Sequence, residues 1–179
     1  FAEALNLGRQ LEDTYRDHTD VGSLHELVLK LADEKRAHVE LAFAARNAGS
    51  DDPTTSQIAR DKLSEGGEVA RLVARKLLRQ EKSPRILKGC ASFLVECHDV
   101  SAVPLILERF MEQPGAGLEE SLLEGLPLLE KGVPAILFFR YLKFAEPRLK
   151  DPESPEYAGI KRTLDVLIDK MSRGYQSGI

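Results

Sequence analysis

The sequence predicts an all-α protein built as a right-handed stack of antiparallel helical hairpins, and two observations predict it. Apolar residues recur at helical spacing along the chain, without a convincing alternating strand segment or an Asn-Gly or Asp-Gly hairpin signal. A two-helix unit also recurs, because Val103-Pro104 and Val133-Pro134 start similar helices 30 positions apart. A unit of this length cannot bury its apolar face alone, so it is expected to stack on its neighbours.

Two amphipathic helices are predicted in the N-terminal part, over about residues 2–17 and 22–48. The first presents Leu7, Leu11 and Tyr15 on one face. The predicted apolar stripe of the second comprises Leu24, Val28, Leu31, Ala32, Val39, Ala42 and Phe43. We expect residues 1–65 to form a less regular helical part that packs on the repeats of residues 66–179, within one continuous domain.

Proline and small polar residues predict where the later helices begin and end. Asp52-Pro53 and Ser83-Pro84 each combine a capping residue with a proline in the first turn, and Ser101 is expected to cap the helix that follows it. Pro127 is expected to kink its helix. A proline-rich loop is predicted over 146–156, and the chain is expected to fray after Ser172.

The shared stripe of successive units predicts which side chains form the core. Leu94, Phe110, Leu126 and Ile136 occupy corresponding apolar positions, so we expect all four to be buried. The two cysteines, Cys90 and Cys97, lie seven positions apart on one predicted helix. Their separation of about 10 Å along the helix axis is too long for a disulfide, and buried small hydrophobes are the expected role.

The segment over 103–134, VPLILERFMEQPGAGLEESLLEGLPLLEKGVP, resembles a HEAT or armadillo-type repeat. The resemblance covers about residues 66–172, and Lys88 and Lys161 supply the cation that HEAT repeats carry near the start of the second helix. The middle repeat departs from the pattern with Leu118-Glu119-Glu120, and Gln113 stands where an Asp is expected. The resemblance implies a HEAT-like α-solenoid whose surface binds proteins, peptides or nucleic acid, usually without catalysis.

The composition and charge of the chain argue against several classes of function. The net charge of −4 argues against a bulk nucleic-acid or anionic-membrane binder. No apolar run is long enough to span a bilayer, so no membrane association is expected. No secretory signal is visible, and the chain begins at Phe1 rather than Met. We therefore expect a mature product or, as the favoured interpretation, a fragment of a longer protein, and we expect it to be cytoplasmic.

The strongest local charge signal is a basic ridge between residues 68 and 88, where seven cations accompany two anions. Arg71, Arg75 and Arg79 follow one another at four-residue spacing on one helix. The candidate partner-binding residues are Arg71, Arg75, Arg79, Lys82, Arg85 and Lys88. Such a ridge suits an acidic segment of a protein partner, and nucleic acid is the alternative ligand. The plain alternative to both is that the ridge is the solvated outer face of an amphipathic helix and binds no ligand.

The remaining charged residues leave two further alternatives open. Six glutamates crowd the unit between residues 108 and 130, and this bipolar surface permits self-association. Glu34 and His38 share a helix face in the N-terminal part, but no full metal-ligand set or catalytic motif can be assembled. We predict no cofactor and no catalytic residue. The sequence favours a non-enzymatic protein-interaction or scaffold module, with a small helical enzyme or metal-binding protein as the last alternative.

Overall fold

The computed structural model describes residues 2–14, 21–130 and 132–176, and these residues form nine α-helices without a β-strand. The all-helical prediction is therefore confirmed. The helices are α1 (Ala2–Thr14), α2 (Val21–Asn47), α3 (Pro53–Glu65), α4 (Gly67–Gln80), α5 (Pro84–Glu96), α6 (Val103–Glu112), α7 (Glu119–Gly125), α8 (Ala135–Arg148) and α9 (Tyr157–Gln176). Three short 3₁₀ turns, Val100–Ala102, Pro114–Ala116 and Leu126–Leu128, adjoin α6 and α7.

Two of the predicted helix starts are present, and the third differs. The Asp52 side chain accepts a hydrogen bond from the Thr55 amide at 2.9 Å, and α3 then begins at Pro53. The next helix, α5, begins at Pro84 as predicted, but the Ser83 side chain forms no capping hydrogen bond. Ser101 does not cap α6: it lies in a 3₁₀ turn and donates its hydroxyl to Asp99 at 2.6 Å.

The predicted ends of the later helices need correction. Pro127 does not kink a continuous helix, because α7 ends at Gly125 and a 3₁₀ turn follows. A proline lacks the amide hydrogen and its ring collides with the preceding turn, which favours stopping the helix here. α8 reaches Arg148, so the polar loop starts after that residue and not at 146. α9 continues past Ser172 to Gln176.

Contacts between helices follow a regular order after residue 66. Consecutive helices pack as the pairs α4–α5, α6–α7 and α8–α9. The first members of the pairs also contact one another in the order α4, α6, α8, and the second members do so in the order α5, α7, α9. α2 joins the N-terminal part to this array, because it contacts α3, α4 and α5 as well as α1.

Three of the four core residues predicted from the shared stripe are confirmed as buried, and one is not. Leu94, Phe110 and Leu126 are buried, whereas Ile136 is 72 % exposed. α8 turns Leu137 and Tyr141 toward the interior, one helix turn apart, and Tyr141 donates its hydroxyl to the Ile160 carbonyl at 2.9 Å. Successive helical residues point about 100° apart, so Ile136 is carried out of this face. The register of the apolar stripe in α8 was wrong by one residue.

α2 contains the larger error, because its two halves bury different faces. Near its start Val28 packs against Gly8 of α1, where an added Cβ would lie 2.6 Å from the valine Cγ2. Toward its end the buried residues are Leu41, Ala44, Ala45 and Ala48. Val39 and Phe43, predicted to lie in the buried stripe, are 62 % and 71 % exposed. At 27 residues α2 is about 40 Å long and meets different partners at its two ends.

The face predicted for the first helix is only partly described. Leu7 and Leu11 are exposed, and Leu5 is the buried leucine on α1. Tyr15 lies outside the described residues. The predicted face of this helix was therefore wrong for both leucines, because Leu5 is buried and Gly8 packs against Val28 of α2.

Candidate functional site

The predicted basic ridge begins with two arginines that are already paired within the protein. The Arg75 Nε atom donates to the Asp99 carboxylate at 2.7 Å, and its Nη2 atom lies 3.0 Å from a Glu68 oxygen. Arg71 binds the other oxygen of Glu68 at 2.6 Å. The Asp99 side chain is only 5 % exposed, against 21 % for Arg75. Arg75 therefore neutralises a buried carboxylate and ties α4 to the turn between α5 and α6.

The other four candidate binding residues of the ridge have no such partner. Arg79, Lys82, Arg85 and Lys88 are exposed, and none forms an ion pair with the described part of the chain. The two at 79 and 82 lie where α4 runs into the connection to α5, and the two at 85 and 88 lie in the first turns of α5. The six predicted residues thus divide between the two ends of the α4–α5 pair.

Arg85 and Lys88 line a groove, here called the basic groove, with a volume of about 410 Å³. Its lining also includes Arg60, which is paired with Glu96, and Asp51. The full lining is Ala48, Gly49, Ser50, Asp51, Ser56, Arg60, Pro84, Arg85, Lys88, Gly89, Gly115, Ala116 and Gly117. α3, α5 and two loops supply these residues, so no single helix face carries the groove.

Close packing of α2 on α5 forms the floor of the basic groove. A Cβ atom added to Gly89 would lie 2.3 Å from the Gly49 nitrogen, which is closer than any side chain tolerates. Ser56 donates its hydroxyl to the Ala48 carbonyl at 2.7 Å and so satisfies a backbone acceptor at the end of α2. The floor therefore consists of small, closely packed residues, and the free charge lies at the rim.

A second groove, here called the apolar groove, runs between α2 and α3 with a volume of about 550 Å³. Its walls are Val39 and Phe43 on α2 and Ile58 on α3, which is 64 % exposed. Buried Ala44 and Ala59 form the floor. Sequence reasoning missed this surface, because the same side chains fit a core stripe. A signal was present in a second apolar register at the end of α2 (Leu41, Ala44, Ala45 and, one residue beyond the helix, Ala48), which is the one that fills the core.

The polar groups that line the apolar groove are already engaged. Asn47 donates its side-chain amide to the Phe43 carbonyl at 2.9 Å, and Lys62 lies 3.3 Å from the Glu40 carboxylate. Thr55 donates its hydroxyl to Asp52, and this hydrogen bond lowers the pKa of the Asp52 carboxyl. A ligand in this groove would therefore find apolar contacts and few free hydrogen-bonding groups.

The cysteines and histidines do not form a reactive cluster within the described ranges. Burial raises the pKa of the Cys90 thiol to about 12, and burial also raises the pKa of Cys97. The thiols are therefore protonated near neutral pH, and only thiolates are good nucleophiles. No three His, Cys, Asp or Glu side chains among residues 2–14, 21–130 and 132–176 converge as a metal site. His18 lies outside the described residues.

Part of the acidic unit between residues 108 and 130 forms ion pairs between helices. Glu108 binds Arg140 of α8 at 2.7 Å, and Glu119 lies 3.6 Å from Arg162 of α9. Glu112 pairs with Arg109, whose guanidinium also donates to the Glu81 carbonyl. Glu108 and Glu119 thus pair with neighbouring helices, whereas Glu112 pairs within α6, and none of the three pairs with the arginines of the basic ridge.

No protein-family model matches the chain, and neither a curated protein nor a solved structure matches it. The likeness to HEAT repeats therefore rests on the residues of this chain. Within the described residues, no helix is both long enough and apolar enough to cross a membrane.

Proposed function

We propose that this chain is a non-enzymatic protein-interaction module and that the apolar groove is its binding site. The observation that carries the proposal is the exposure of Val39, Phe43 and Ile58, three large apolar side chains that line one concavity. Soluble monomers rarely expose clustered apolar surface without a binding role. Concave apolar surface is also the common form of a binding site.

The occupant that fits the apolar groove best is an amphipathic helix of a partner protein. Both walls are α-helices, whose backbone groups are already hydrogen-bonded within each helix. An extended peptide would find no sheet edge to pair with, whereas a helix satisfies its own backbone. The Glu40–Lys62 pair at the rim presents both signs of charge, which matches the mixed charges that flank an amphipathic helix.

We further propose that the helices after residue 66 form a right-handed HEAT-like stack, as the sequence resemblance implies. Support comes from the contact order of α4, α6 and α8 on one side and α5, α7 and α9 on the other. Two such layers are the arrangement in which each helical hairpin packs only on its neighbours. In this proposal the stack is the scaffold of a larger intracellular protein and presents α2 and α3 at one end.

Nucleic-acid binding through the basic ridge is less well supported than protein binding. Arg71 and Arg75 already contact Glu68 and Asp99, so a phosphate would have to displace these carboxylates. The chain has no Trp, and its net charge is −4. A partner helix in the apolar groove would displace neither carboxylate, and its binding does not depend on a positive net charge.

The test is binding of a fluorescent peptide of about twenty residues that folds as an amphipathic helix. The peptide carries Leu at the i, i+3, i+4 and i+7 spacing and both Glu and Lys elsewhere. Fluorescence anisotropy is measured with the unmodified protein and with the double variant Phe43→Ser/Ile58→Ser. Loss of two apolar anchors should raise the Kd by at least about tenfold, which corresponds to about 1.4 kcal/mol.

The matched control is Ile136→Ser/Phe139→Ser, which removes two apolar side chains of similar exposure, 72 % and 62 %, from α8. This control should change the Kd by less than about threefold. Equal losses in both variants would show non-specific adhesion of the peptide and would overturn the proposal. Sedimentation equilibrium supplies a second outcome, because a dimer that the Phe43→Ser/Ile58→Ser change abolishes would assign the groove to a second copy of the chain.

A further inference from the structure

We infer that the basic groove binds an acidic segment of a protein partner and that it recognises the carboxylates of that segment. The inference rests on the proposed protein-binding function, but it concerns a surface separate from the apolar groove. Arg85 and Lys88 stand at the rim without a carboxylate partner among the described residues, although most arginines with described side chains form an ion pair. These two residues belong to the predicted basic ridge, and the structure places them away from Arg71 and Arg75.

The charge in the basic groove is unbalanced. Its lining holds the cations Arg60, Arg85 and Lys88 and one carboxylate, Asp51. Glu96 already neutralises Arg60, so two free cations face a single anion. The whole chain carries a net charge of −4, which makes this local positive excess an exception to its surroundings. An anionic ligand is attracted to such a site, and a neutral ligand gains nothing from it.

The start of α5 adds hydrogen-bond donors to this positive charge. Pro84 occupies the first turn and Ser83 forms no side-chain cap, so the first-turn amides of α5 lack that acceptor. Arg85 extends from the same turn, and the Lys88 stem passes Gly117 at 3.6 Å from the position of an added Cβ. A carboxylate in the groove can thus accept from a guanidinium and from backbone amides together.

Three features favour a carboxylate-bearing peptide over a nucleic acid. Arginine binds a carboxylate with two parallel hydrogen bonds, and Arg85 is free to do so. Asp51 in the lining repels a ligand with dense negative charge more strongly than one with spaced single charges. The lining contains no aromatic side chain on which a base could stack.

The experiment measures the binding of a fluorescent peptide of about twelve residues that alternates Asp or Glu with Gly and Ser, compared with the same peptide carrying Asn and Gln. The acidic peptide should bind more tightly, and its affinity should fall as salt is added. Arg85→Glu/Lys88→Glu should raise its Kd by at least about tenfold. Asp51→Asn should lower the Kd by about twofold or more, because it removes the opposing charge.

The matched control is Arg79→Glu/Lys82→Glu, which makes the same change of charge at two exposed cations outside the groove. Equal weakening by both reversals would overturn the inference, since it would show general attraction to positive charge. Arg85→Gln/Lys88→Gln replaces the reversal variant if that variant does not fold, and it should still weaken binding. Inhibition by inorganic phosphate at low millimolar concentration, or tighter binding of duplex DNA than of the peptide, would also overturn it.

The Phe43→Ser/Ile58→Ser variant separates this inference from the proposed function. It should bind the acidic peptide as the unmodified protein does, since neither side chain lines the basic groove. Loss of amphipathic-helix binding with retained acidic-peptide binding would support both assignments. Retained helix binding with retained acidic-peptide binding would overturn only the apolar site.

Discussion

Replacing Arg75 with Ala should destabilise the fold, although Arg75 was predicted as a partner-binding residue. The change leaves the Asp99 carboxylate, which is 5 % exposed, without the guanidinium that donates to it at 2.7 Å. Breaking a fully buried ion pair costs about 3–5 kcal/mol, and solvent reaches Arg75 in part, so we expect a loss of about 2–3 kcal/mol. In the variant the Ser101 hydroxyl still donates a hydrogen bond to Asp99, which limits the loss of stability.

Chemical denaturation measures this free energy directly, and thermal melting gives a second estimate. For a chain of this size a loss of 2–3 kcal/mol lowers the Tm by about 5–10 °C. Arg79→Ala is the matched control, because Arg79 lies on the same helix and is exposed; it should cost less than about 0.5 kcal/mol. A loss below about 0.5 kcal/mol for Arg75→Ala would refute the reasoning.

A double-mutant cycle tests whether the effect passes through Asp99. In the background of Asp99→Ala, the change Arg75→Ala should cost about 1 kcal/mol less than it does alone, because the buried charge is already gone. Equal costs in the two backgrounds would show that Arg75 stabilises the fold through its other contacts. Glu68 is then the partner to replace next, since Arg75 also binds it.

Three further predictions concern the core. Leu126→Ala should destabilise the protein by about 2–5 kcal/mol in chemical denaturation, because the side chain is fully buried. Gly89→Ala should lower the Tm by several degrees or prevent folding, since the new Cβ would overlap the Gly49 backbone. Cys90 should react with a thiol-specific reagent more slowly than Cys97 at pH 8, because its pKa is about 12; mass spectrometry of partly labelled protein identifies the modified residue.

Each of these three predictions has a control within the chain. Ile136→Ala should cost less than about 0.5 kcal/mol, and a loss equal to that of Leu126→Ala would contradict the register of α8. Gly115→Ala meets open space and should leave the Tm nearly unchanged; a fall as large as that of Gly89→Ala would argue against a steric cause. Equal labelling rates for Cys90 and Cys97 in the folded protein would contradict the burial of Cys90.

Helix starts were predictable because their causes are local. In Asp52-Pro53 and Ser83-Pro84 the proline ring itself fixes a backbone angle that suits the first turn of a helix. α3 and α5 begin at these prolines. The Ser101 prediction failed because its hydroxyl donates to the Asp99 carboxylate two positions earlier. Asp99 is held in turn by Arg75 of α4, a tertiary contact that capping rules do not contain. The all-helical class followed from apolar spacing over the whole chain, which averages over such local exceptions.

Helix faces were less predictable, since a face depends on what packs against it. Two apolar registers run along α2, and the one with Val39 and Phe43 looks at least as hydrophobic as the alanine-rich one that is buried. The alanine-rich register is the buried one because the chain at the end of α2 approaches α5 closely, at Gly49 and Gly89. Burial of the alanine-rich register leaves Val39 and Phe43 exposed in the apolar groove. Hydrophobic periodicity alone could therefore not predict this groove.

The cations of the basic ridge were visible in the sequence, but their separation was not. Helical spacing places Arg71 and Arg75 on one face, and nothing local shows that Asp99, 24 positions beyond Arg75, returns to bind the second of them. The basic groove likewise joins α3, α5 and two loops that are distant in sequence. Arg85 and Lys88 remain predicted binding residues, and the structure places them in the lining of the basic groove.

The most direct test of the proposed binding function is a map of backbone amide chemical shifts in ¹⁵N-labelled protein titrated with the amphipathic helical peptide. The proposal predicts the largest shifts at residues 39–47 and 55–62, which form the two walls of the apolar groove. Residues 135–140, which include exposed Ile136 and Phe139, should shift little. Shifts centred on α8, or no saturable shifts at all, would contradict the claim that this groove binds a partner helix.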